Sequence, residues 1–181
     1  SNVRATAETM GIKSPLRPDN ANEDKPAMCL GSMDVNLLEM VNGYCTVANY
    51  GKHIDPVLVT RIVKTNPHGE EEVIYDYMEE VNANKAISAR AAFFMQKLLG
   101  AGLTDAGGTS QSLTDYVDPY TSTTDFGGKT GTSNNYSDAW FVGTSPNLVA
   151  GVWVGGEYRS IHFTSGSQGQ GSRTALPICG K

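Results

Sequence analysis

Two stretches of the chain repeat apolar residues at the spacing of one helical face. The first runs from Asp34 to Tyr50 and ends at Gly51; the second runs from Ala86 to Leu99, where Gly100 and Gly102 are expected to close it. The apolar positions are Val35, Leu38, Val41, Tyr44, Cys45 and Ala48 in the first, and Ile87, Phe94 and Leu98 in the second. We predict two amphipathic helices with these faces turned to a core.

Two shorter helical segments lie near the ends of the sequence. Residues Ala5–Met10 are typical of the last turns of a helix stopped by Gly11, and the polar stretch Lys13–Ala27 that follows predicts a loop. Thr174–Lys181, with Pro177 in its first turn, predicts the start of another helix. The glycine-rich residues 166–171 between them match no phosphate-binding pattern and predict a mobile loop.

Strand patterns occupy the middle and the last third of the chain. Pro56–Lys64 is rich in β-branched residues, and Asn66–Gly69 turns it towards Val73–Tyr75 as a hairpin. Three further strands are predicted at Gly127–Thr132, Ala139–Thr144 and Leu148–Gly155, the last two joined by a turn at Ser145-Pro146-Asn147. Helices followed by an antiparallel meander indicate an α+β fold, with helices packed on one antiparallel sheet.

Composition excludes several classes of protein. The 181 residues are 39% hydrophobic and 18% charged, as in ordinary globular domains, and the formal charge of −5 with no basic patch argues against nucleic-acid binding. The uncharged stretch 139–156 is interrupted by Pro146-Asn147, so a hairpin explains it better than a membrane segment. The acidic runs Glu70–Glu72 and Glu79-Glu80 indicate a solvated hairpin rim, with a cationic partner as the alternative.

The cysteines, histidines, tryptophans and Asp138 are expected to have structural roles. Cys29, Cys45 and Cys179 have neither C-x-x-C nor metal-ligand spacing, and Cys45 is expected to be a buried free thiol. His53, His68 and His162 are predicted at the surface, and Trp140 and Trp153 in the core of the sheet. Asp138 is expected to make structural hydrogen bonds.

The segment around Lys129 carries the chemistry. Gly128-Lys129-Thr130 does not fit a phosphate-binding P-loop, because that pattern needs glycine at position 123, which is Thr123. Lys129-Thr130-Gly131 instead resembles the third signature of serine transpeptidases and serine β-lactamases. In such a cleft Lys129 would favour an anionic substrate end and tune proton transfer, while hydroxyls would hydrogen-bond a carboxylate.

The resemblance extends well beyond this signature. Asp138–Gly143 (DAWFVG) and Leu148–Gly155 (LVAGVWVG) follow it, Gly107-Gly108-Thr109 precedes it, and Cys29–Val35 and Ala48–Gly51 lie further upstream. Together they closely resemble the transpeptidase domain of class A (bifunctional) penicillin-binding proteins, in the family's order. The resemblance implies the serine β-lactamase/penicillin-binding-protein fold, and an N-terminal anchor and a glycosyltransferase domain in the parent protein.

The resemblance also implies site residues and partners. Lys129 would be catalytic, the backbone N–H of Thr132 would complete an oxyanion hole, and Thr130, Gly131, Thr132 and Ser133 would bind substrate. The implied ligands are D-Ala-D-Ala stem peptides of peptidoglycan and β-lactams, with no cofactor, metal or nucleic acid, on the outer face of a bacterial cell membrane, in the periplasm.

The 181 residues depart from the family pattern at the nucleophile. None of the serines has lysine three positions later, so the S-x-x-K signature is absent. Ser133-Asn134-Asn135 and Ser145-Pro146-Asn147 fit S-x-N by letters, but the family places S-x-N before the K-T-G strand, and we interpret both as coincidences.

We therefore predict that residues 1–181 form a single partial transpeptidase domain without the S-x-x-K and S-x-N segments and the closing helix. Such a chain is expected to be inactive alone and to self-associate through uncovered apolar surface. Two alternatives remain: part of a D,D-carboxypeptidase or β-lactamase, in which water resolves the acyl-enzyme, and a non-catalytic module that binds wall peptides.

Overall fold

The computed structural model of the chain describes residues 2–16, 26–79 and 82–181. Their helices are α1 (Asn2–Thr9), α2 (Leu37–Ala48), α3 (Ala89–Thr104), α4 (Thr114–Val117), α5 (Gly166–Gly169) and α6 (Ala175–Gly180). Their strands are β1 (Lys52–His53), β2 (Arg61–Thr65), β3 (Glu71–Asp76), β4 (Asn84–Lys85), β5 (Gly127–Thr132), β6 (Asp138–Thr144) and β7 (Val149–Gly155). Short 3₁₀ turns lie at Pro26–Leu30, Tyr77–Glu79, Gln111–Leu113 and Asp118–Tyr120.

The largest sheet of the described residues is the antiparallel meander β5-β6-β7, with β6 in the centre. Gly131 pairs with Trp140, and Trp140 pairs in turn with Trp153. The pairs β1-β4 and β2-β3 form two separate two-stranded sheets. The predicted α+β fold with three successive C-terminal strands is confirmed.

The two faces of the meander are covered by different helices. On one face Phe141, fully buried, packs with Ala175 and Leu176 of α6. On the other face α2 lies so close to β7 that a Cβ added to Gly151 would be 2.3 Å from Cγ2 of Val41. The missing side chain at Gly151 therefore lets the helix rest directly on the strand.

Helix α3 begins later and ends later than the sequence predicts. Its N-cap is Ser88, whose hydroxyl accepts from the Ala91 N–H at 3.1 Å. Gly100 and Gly102, expected to end the helix, lie inside it. A Cβ on Gly102 would be 3.1 Å from the Gly128 carbonyl oxygen, so this glycine gives α3 a close approach to β5 instead of a stop.

The predicted apolar face of α3 is also wrong in part. Phe94 and Leu98 are 53% and 66% exposed, whereas Ala92, Leu99 and Leu103 are buried. Ala92, Leu99 and Leu103 follow one another at spacings of seven and four residues, so they share one helical face, and this face, not the one with Phe94 and Leu98, is turned to the core.

The first part of the chain agrees with the predicted elements in outline. Helix α2 starts after Asn36, whose side chain accepts from the Glu39 N–H at 2.9 Å, and it ends shortly before Gly51, which has a positive φ of 83°. Of the predicted loop Lys13–Ala27, residues 17–25 lie outside the described part of the chain. Pro26 begins a 3₁₀ turn.

The predicted hairpin forms, but its first strand is shorter than expected. Strand β2 starts at Arg61 and not at Pro56, which has no N–H to give to a ladder. In the turn, the Asn66 side-chain oxygen accepts from the N–H groups of His68 and Glu70, at 2.9 and 3.0 Å. The acidic run Glu70–Glu72 is exposed, as predicted; Glu80, from the second acidic run, lies outside the described residues.

Four predictions for single residues or short segments differ from the structure. Cys45, expected to be buried, is only partly buried. His53 is 8% exposed and its Nδ1 lies 3.1 Å from the Thr46 hydroxyl, so the prediction of a surface histidine is wrong here, while His68 and His162 are exposed. Trp153 is 40% exposed, which contradicts its predicted place in the core. The glycine-rich residues 166–171 begin with α5 and contain buried glycines, so they are an ordered packing element and not a mobile loop.

Candidate active site: the free edge of strand β5

Strand β5, which carries Lys129-Thr130-Gly131-Thr132, pairs with β6 on one side and with no strand of the described residues on the other. The Ser133 N–H donates to the Asp138 carbonyl at 3.0 Å. Because hydrogen-bonded and non-hydrogen-bonded pairs alternate along an antiparallel ladder, Thr132 opposite Ala139 is a non-hydrogen-bonded pair. The N–H groups of Thr132 and Thr130 therefore point away from β6, towards the free edge.

Contacts at the outer edge agree with this alternation. The Ser110 hydroxyl donates to the Gly128 carbonyl at 3.2 Å, and the Lys129 ammonium donates to the Thr130 carbonyl at 2.7 Å. Both acceptors belong to the same set of outward-facing groups. The free edge thus presents main-chain donors and acceptors in the geometry that an extended peptide needs to pair with a strand.

Lys129 is exposed. It pairs with Val142 of β6, so the two side chains lie on the same face of the sheet. Its ammonium group stays beside its own strand, bonded to the Thr130 carbonyl. A cation fixed at a strand edge favours an anionic group that pairs with that edge.

The Thr130 hydroxyl lies 2.7 Å from the hydroxyl of Thr109. Thr109 follows α3 in the Gly107-Gly108-Thr109 segment, and Gly107 has a positive φ of 84° that suits the tight connection there. The sequence indicated this segment but no role for Thr109. A contact between a loop residue and a strand residue 21 positions later leaves no pattern in the sequence.

Thr132 is exposed and its hydroxyl accepts from the Gly171 N–H at 3.1 Å. Gly131 leaves the strand bare at this point: a Cβ there would be 3.1 Å from the Cβ of Trp140. This contact between Gly171 and Thr132 was not predicted, because residues 166–171 were expected to form a mobile loop.

Ser133 faces inwards at the turn between β5 and β6. Its hydroxyl accepts from the Asp138 N–H at 2.9 Å and lies 2.9 Å from the Ser137 hydroxyl. Of the five candidate residues, Ser133 is therefore the one whose hydroxyl is engaged within the turn, while Lys129 to Thr132 lie along the edge.

Asp138 organises the same end of the sheet. Its carboxylate accepts from the Trp153 indole N–H at 3.0 Å and from the Ser137 hydroxyl at 2.8 Å, and it lies 3.9 Å from the Arg159 guanidinium, which also pairs with Asp34. The predicted structural role of Asp138 is confirmed by these bonds. They tie the β5–β6 turn to β7 and to the segment ahead of α2.

A cleft of the described residues lies elsewhere. It has a volume of about 540 Å³ and is lined mainly by residues 54–59 and by Ile62, Tyr75 and Tyr77 of the hairpin. None of its lining residues belongs to β5. The lining of this cleft is mostly apolar, whereas the edge of β5 presents outward main-chain N–H groups beside Lys129, and we place the site at the strand.

The described residues contain neither a metal-type cluster nor a membrane-length helix. Residues 2–16, 26–79 and 82–181 hold no group of three His, Cys, Asp or Glu side chains arranged for a metal ion. Within the same ranges, no helix has the length and apolar character needed to cross a bilayer.

The lysine, the two threonines and the glycine of the K-T-G-T segment thus lie on the free edge of a meander packed between helices. The family "Penicillin binding protein transpeptidase domain" matches residues 4–167, and the chain belongs to this family. The class A type predicted from the sequence agrees with its relatives, which include penicillin-binding proteins 1A.

Curated relatives include penicillin-binding protein 2D of Bacillus subtilis, 33% identical over 83% of this chain and 20% of that protein. Penicillin-binding protein 1A of Aquifex aeolicus is 32% identical over 84% of this chain and 19% of that protein. The chain thus spans about a fifth of the length of these relatives. Among solved structures, penicillin-binding protein 1A from Haemophilus influenzae aligns with a TM-score of 0.74 at 23% identity, covering 94% of this chain and 28% of that one, which shows the same fold.

Proposed function

We propose that this chain supplies the substrate-binding strand of a peptidoglycan D,D-transpeptidase that cross-links stem peptides through an acyl-enzyme. The observation that carries the proposal is the free edge of β5, where the N–H groups of Thr130 and Thr132 point outwards beside Lys129. An extended peptide acid fits such an edge through main-chain pairing and carboxylate contacts.

The proposed reaction has two steps. A serine hydroxyl, which S-x-x-K supplies in this family, attacks the carbonyl of the penultimate D-alanine; the peptide bond to the terminal D-alanine breaks, and that residue leaves as the free amino acid. An amine of a second stem peptide then attacks the ester, forming the cross-link and returning the serine. A β-lactam would enter the first step as a substitute for D-Ala-D-Ala.

Each residue of the strand has a role in this scheme. The outward N–H of Thr132 is one donor of the oxyanion hole, which stabilises the negative charge that develops on the attacked carbonyl oxygen. Lys129 favours the anionic end of the substrate and tunes proton transfer, and Thr130 and Thr132 hydrogen-bond its carboxylate. Gly131 leaves room for the peptide to lie on the strand. Ser133 shapes the turn beside it.

The setting of this reaction is also part of the proposal. Cross-linking of peptidoglycan takes place on the outer face of the bacterial cell membrane, in the periplasm, and we propose that the parent protein works there. A membrane anchor and a glycosyltransferase domain in the parent protein would accord with the class A relatives.

Binding of a stem-peptide mimic tests the proposal. Titration of the chain with Nα,Nε-diacetyl-Lys-D-Ala-D-Ala should show saturable binding that Lys129→Ala and Thr132→Val each weaken about tenfold, since each removes an interaction with a charged carboxylate. Lys64→Ala, which removes an exposed lysine of the hairpin, is the matched control and should bind like the parent chain. Equal affinities in all four proteins would refute the proposal.

Reaction with a labelled penicillin tests the chemistry separately. Because none of the serines in the 181 residues belongs to an S-x-x-K sequence, we expect no covalent adduct with this chain by mass spectrometry. A stable adduct would show that another residue serves as the nucleophile.

A further inference from the structure

We propose that Gly171 is a positioning residue for the Thr132 hydroxyl, fixing it as a hydrogen-bond donor to the carboxylate of a peptide acid on β5. This inference rests on the proposed function. It adds the glycine-rich segment after β7, residues 165–171, to the site as the element that orients one of its hydroxyls.

The hydrogen bonds of Thr132 determine what its hydroxyl can do. A hydroxyl has one proton to donate and two lone pairs to accept with. Thr132 Oγ1 accepts from the Gly171 N–H at 3.1 Å. Within the described part of the chain no acceptor takes the Thr132 proton, so that proton is left to donate to a ligand at the exposed edge.

Gly171 is itself held from the core. Its carbonyl accepts from the Leu176 N–H at 2.9 Å, and Leu176 is fully buried against Phe141 and Ala175. The carbonyl of Gly171 thus bonds to the core at the start of α6, while its N–H bonds to the Thr132 hydroxyl on β5. The bond to Thr132 is therefore a fixed contact of a packed segment.

The packing around Gly171 admits no side chain. A Cβ at this position would be 2.3 Å from the Trp140 carbonyl oxygen and 2.6 Å from that of Gly131. Both atoms belong to the backbone of the central meander and cannot turn aside. A larger residue would have to lift the segment off the sheet, which would move the N–H away from Thr132.

The consequence for binding is a preference for acids. With one of its two lone pairs occupied by the Gly171 N–H, the Thr132 hydroxyl has its proton free to give a charge-assisted hydrogen bond to a carboxylate, which is stronger than the bond to a neutral amide oxygen. We expect the chain to bind Nα,Nε-diacetyl-Lys-D-Ala-D-Ala about tenfold more tightly than the same peptide with a C-terminal amide.

Amide hydrogen exchange tests the hydrogen bond without any ligand. In ¹⁵N NMR spectra the Gly171 N–H should exchange slowly in the parent chain and in Thr132→Ser, which keeps the hydroxyl. In Thr132→Val it should exchange about tenfold faster or more, because its acceptor is gone. Equal exchange rates in the three proteins would overturn the proposal.

The acid and amide peptides test the positioning role. Gly171→Ala should lower the preference for the acid to that of Thr132→Val, whereas Gly166→Ala should keep it. Gly166 is the matched control, since it lies in the same segment and a Cβ there would meet first the Tyr136 hydroxyl oxygen, at 3.2 Å. A merely structural role would lower the affinity for both peptides equally and leave their ratio unchanged, which would overturn the proposal.

The possible failures can be told apart. If the parent chain binds the acid and Gly171→Ala keeps its preference, the positioning role is wrong and the proposed function stands. If the parent chain binds neither peptide, the proposed function fails, and the carboxylate role of Thr132 fails with it. If Gly171→Ala does not fold, comparison of Thr132→Ser and Thr132→Val by exchange and by the acid-to-amide ratio decides.

Discussion

The hydroxyl oxygens of Thr109 and Thr130 lie 2.7 Å apart and join the connection after α3 to the strand that carries the candidate site. The two residues lie 21 positions apart in the sequence. Because one hydroxyl of the pair donates to the other, the position of the Thr130 oxygen depends on Thr109.

The first prediction concerns this hydroxyl pair. Thr109→Val should weaken binding of Nα,Nε-diacetyl-Lys-D-Ala-D-Ala by about three- to tenfold, because the Thr130 hydroxyl loses its partner. Thr109 is exposed, so the melting temperature should change little. Thr109→Ser keeps a hydroxyl and should bind like the parent chain; a Thr109→Val chain with full affinity would show that the pair does not position Thr130.

The second prediction concerns the turn between β5 and β6. Ser137 is 3% exposed, and its hydroxyl contacts the Asp138 carboxylate at 2.8 Å and the Asn135 side-chain oxygen at 2.9 Å. Ser137→Ala should lower the free energy of unfolding by about 1–3 kcal/mol, since it removes a buried hydroxyl and its hydrogen bond to a charged carboxylate. Urea unfolding measures the change.

Ser112 provides the control for that measurement. It is exposed, and Ser112→Ala should alter the free energy of unfolding by less than about 0.5 kcal/mol. Equal effects of the two substitutions would mean that the hydroxyl network of the turn does not stabilise the fold.

The third prediction concerns pH. Burial raises the pKa of Glu39, but the hydroxyl and backbone N–H of Ser14, bonded at 2.7 and 3.1 Å, together with Asn36 outweigh it and leave the pKa below its ordinary value. A carboxyl group with a lowered pKa in the folded state stabilises the protein above its unfolded pKa. That contribution disappears as pH falls through the folded value.

Urea unfolding at several pH values measures this effect. Glu39→Gln should be less stable than the parent chain at pH 7, and the difference should shrink below about pH 4.5. Glu71→Gln, on the exposed rim of the hairpin, is the control and should show no such convergence. A constant difference between Glu39→Gln and the parent chain at all pH values would contradict the linkage.

The fourth prediction concerns self-association, which the sequence already led us to expect. Phe93, Phe94, Met95 and Leu98 of α3 are 44–66% exposed and form an apolar surface. We expect the mass measured by light scattering to rise with concentration, and the double change Phe94→Glu and Leu98→Glu to lower it. Leu58→Glu, at an exposed apolar residue outside α3, should not; a monodisperse monomer at high concentration would contradict the expectation.

Strands β5 to β7, and the position of Lys129-Thr130-Gly131 on the first of them, could be predicted from the sequence because their signals are local. Strands β5 to β7 combine β-branched residues with the Pro146-Asn147 turn, and the Lys129-Thr130-Gly131 signature lies within one of them. Local patterns of this kind depend only on neighbouring residues, so they can be recognised in the sequence itself.

Other features depend on contacts between distant parts of the chain and could not be predicted. Gly100 and Gly102 are expected to end α3, but both lie inside the helix, and Gly102 lets it approach β5. His53 was expected at the surface because the sequence does not show that it is buried beside Thr46. The bond from Gly171 to Thr132 joins two segments 39 positions apart, and no periodicity signals it.

Mapping the bound peptide by NMR tests the central claim most directly. On addition of Nα,Nε-diacetyl-Lys-D-Ala-D-Ala to the ¹⁵N-labelled chain, we predict that the largest amide shifts occur at Thr130 and Thr132, whose N–H groups face the free edge. Saturable shifts confined to other surfaces, such as the cleft beside the β2-β3 hairpin, would contradict the account, as would the absence of any shift on β5.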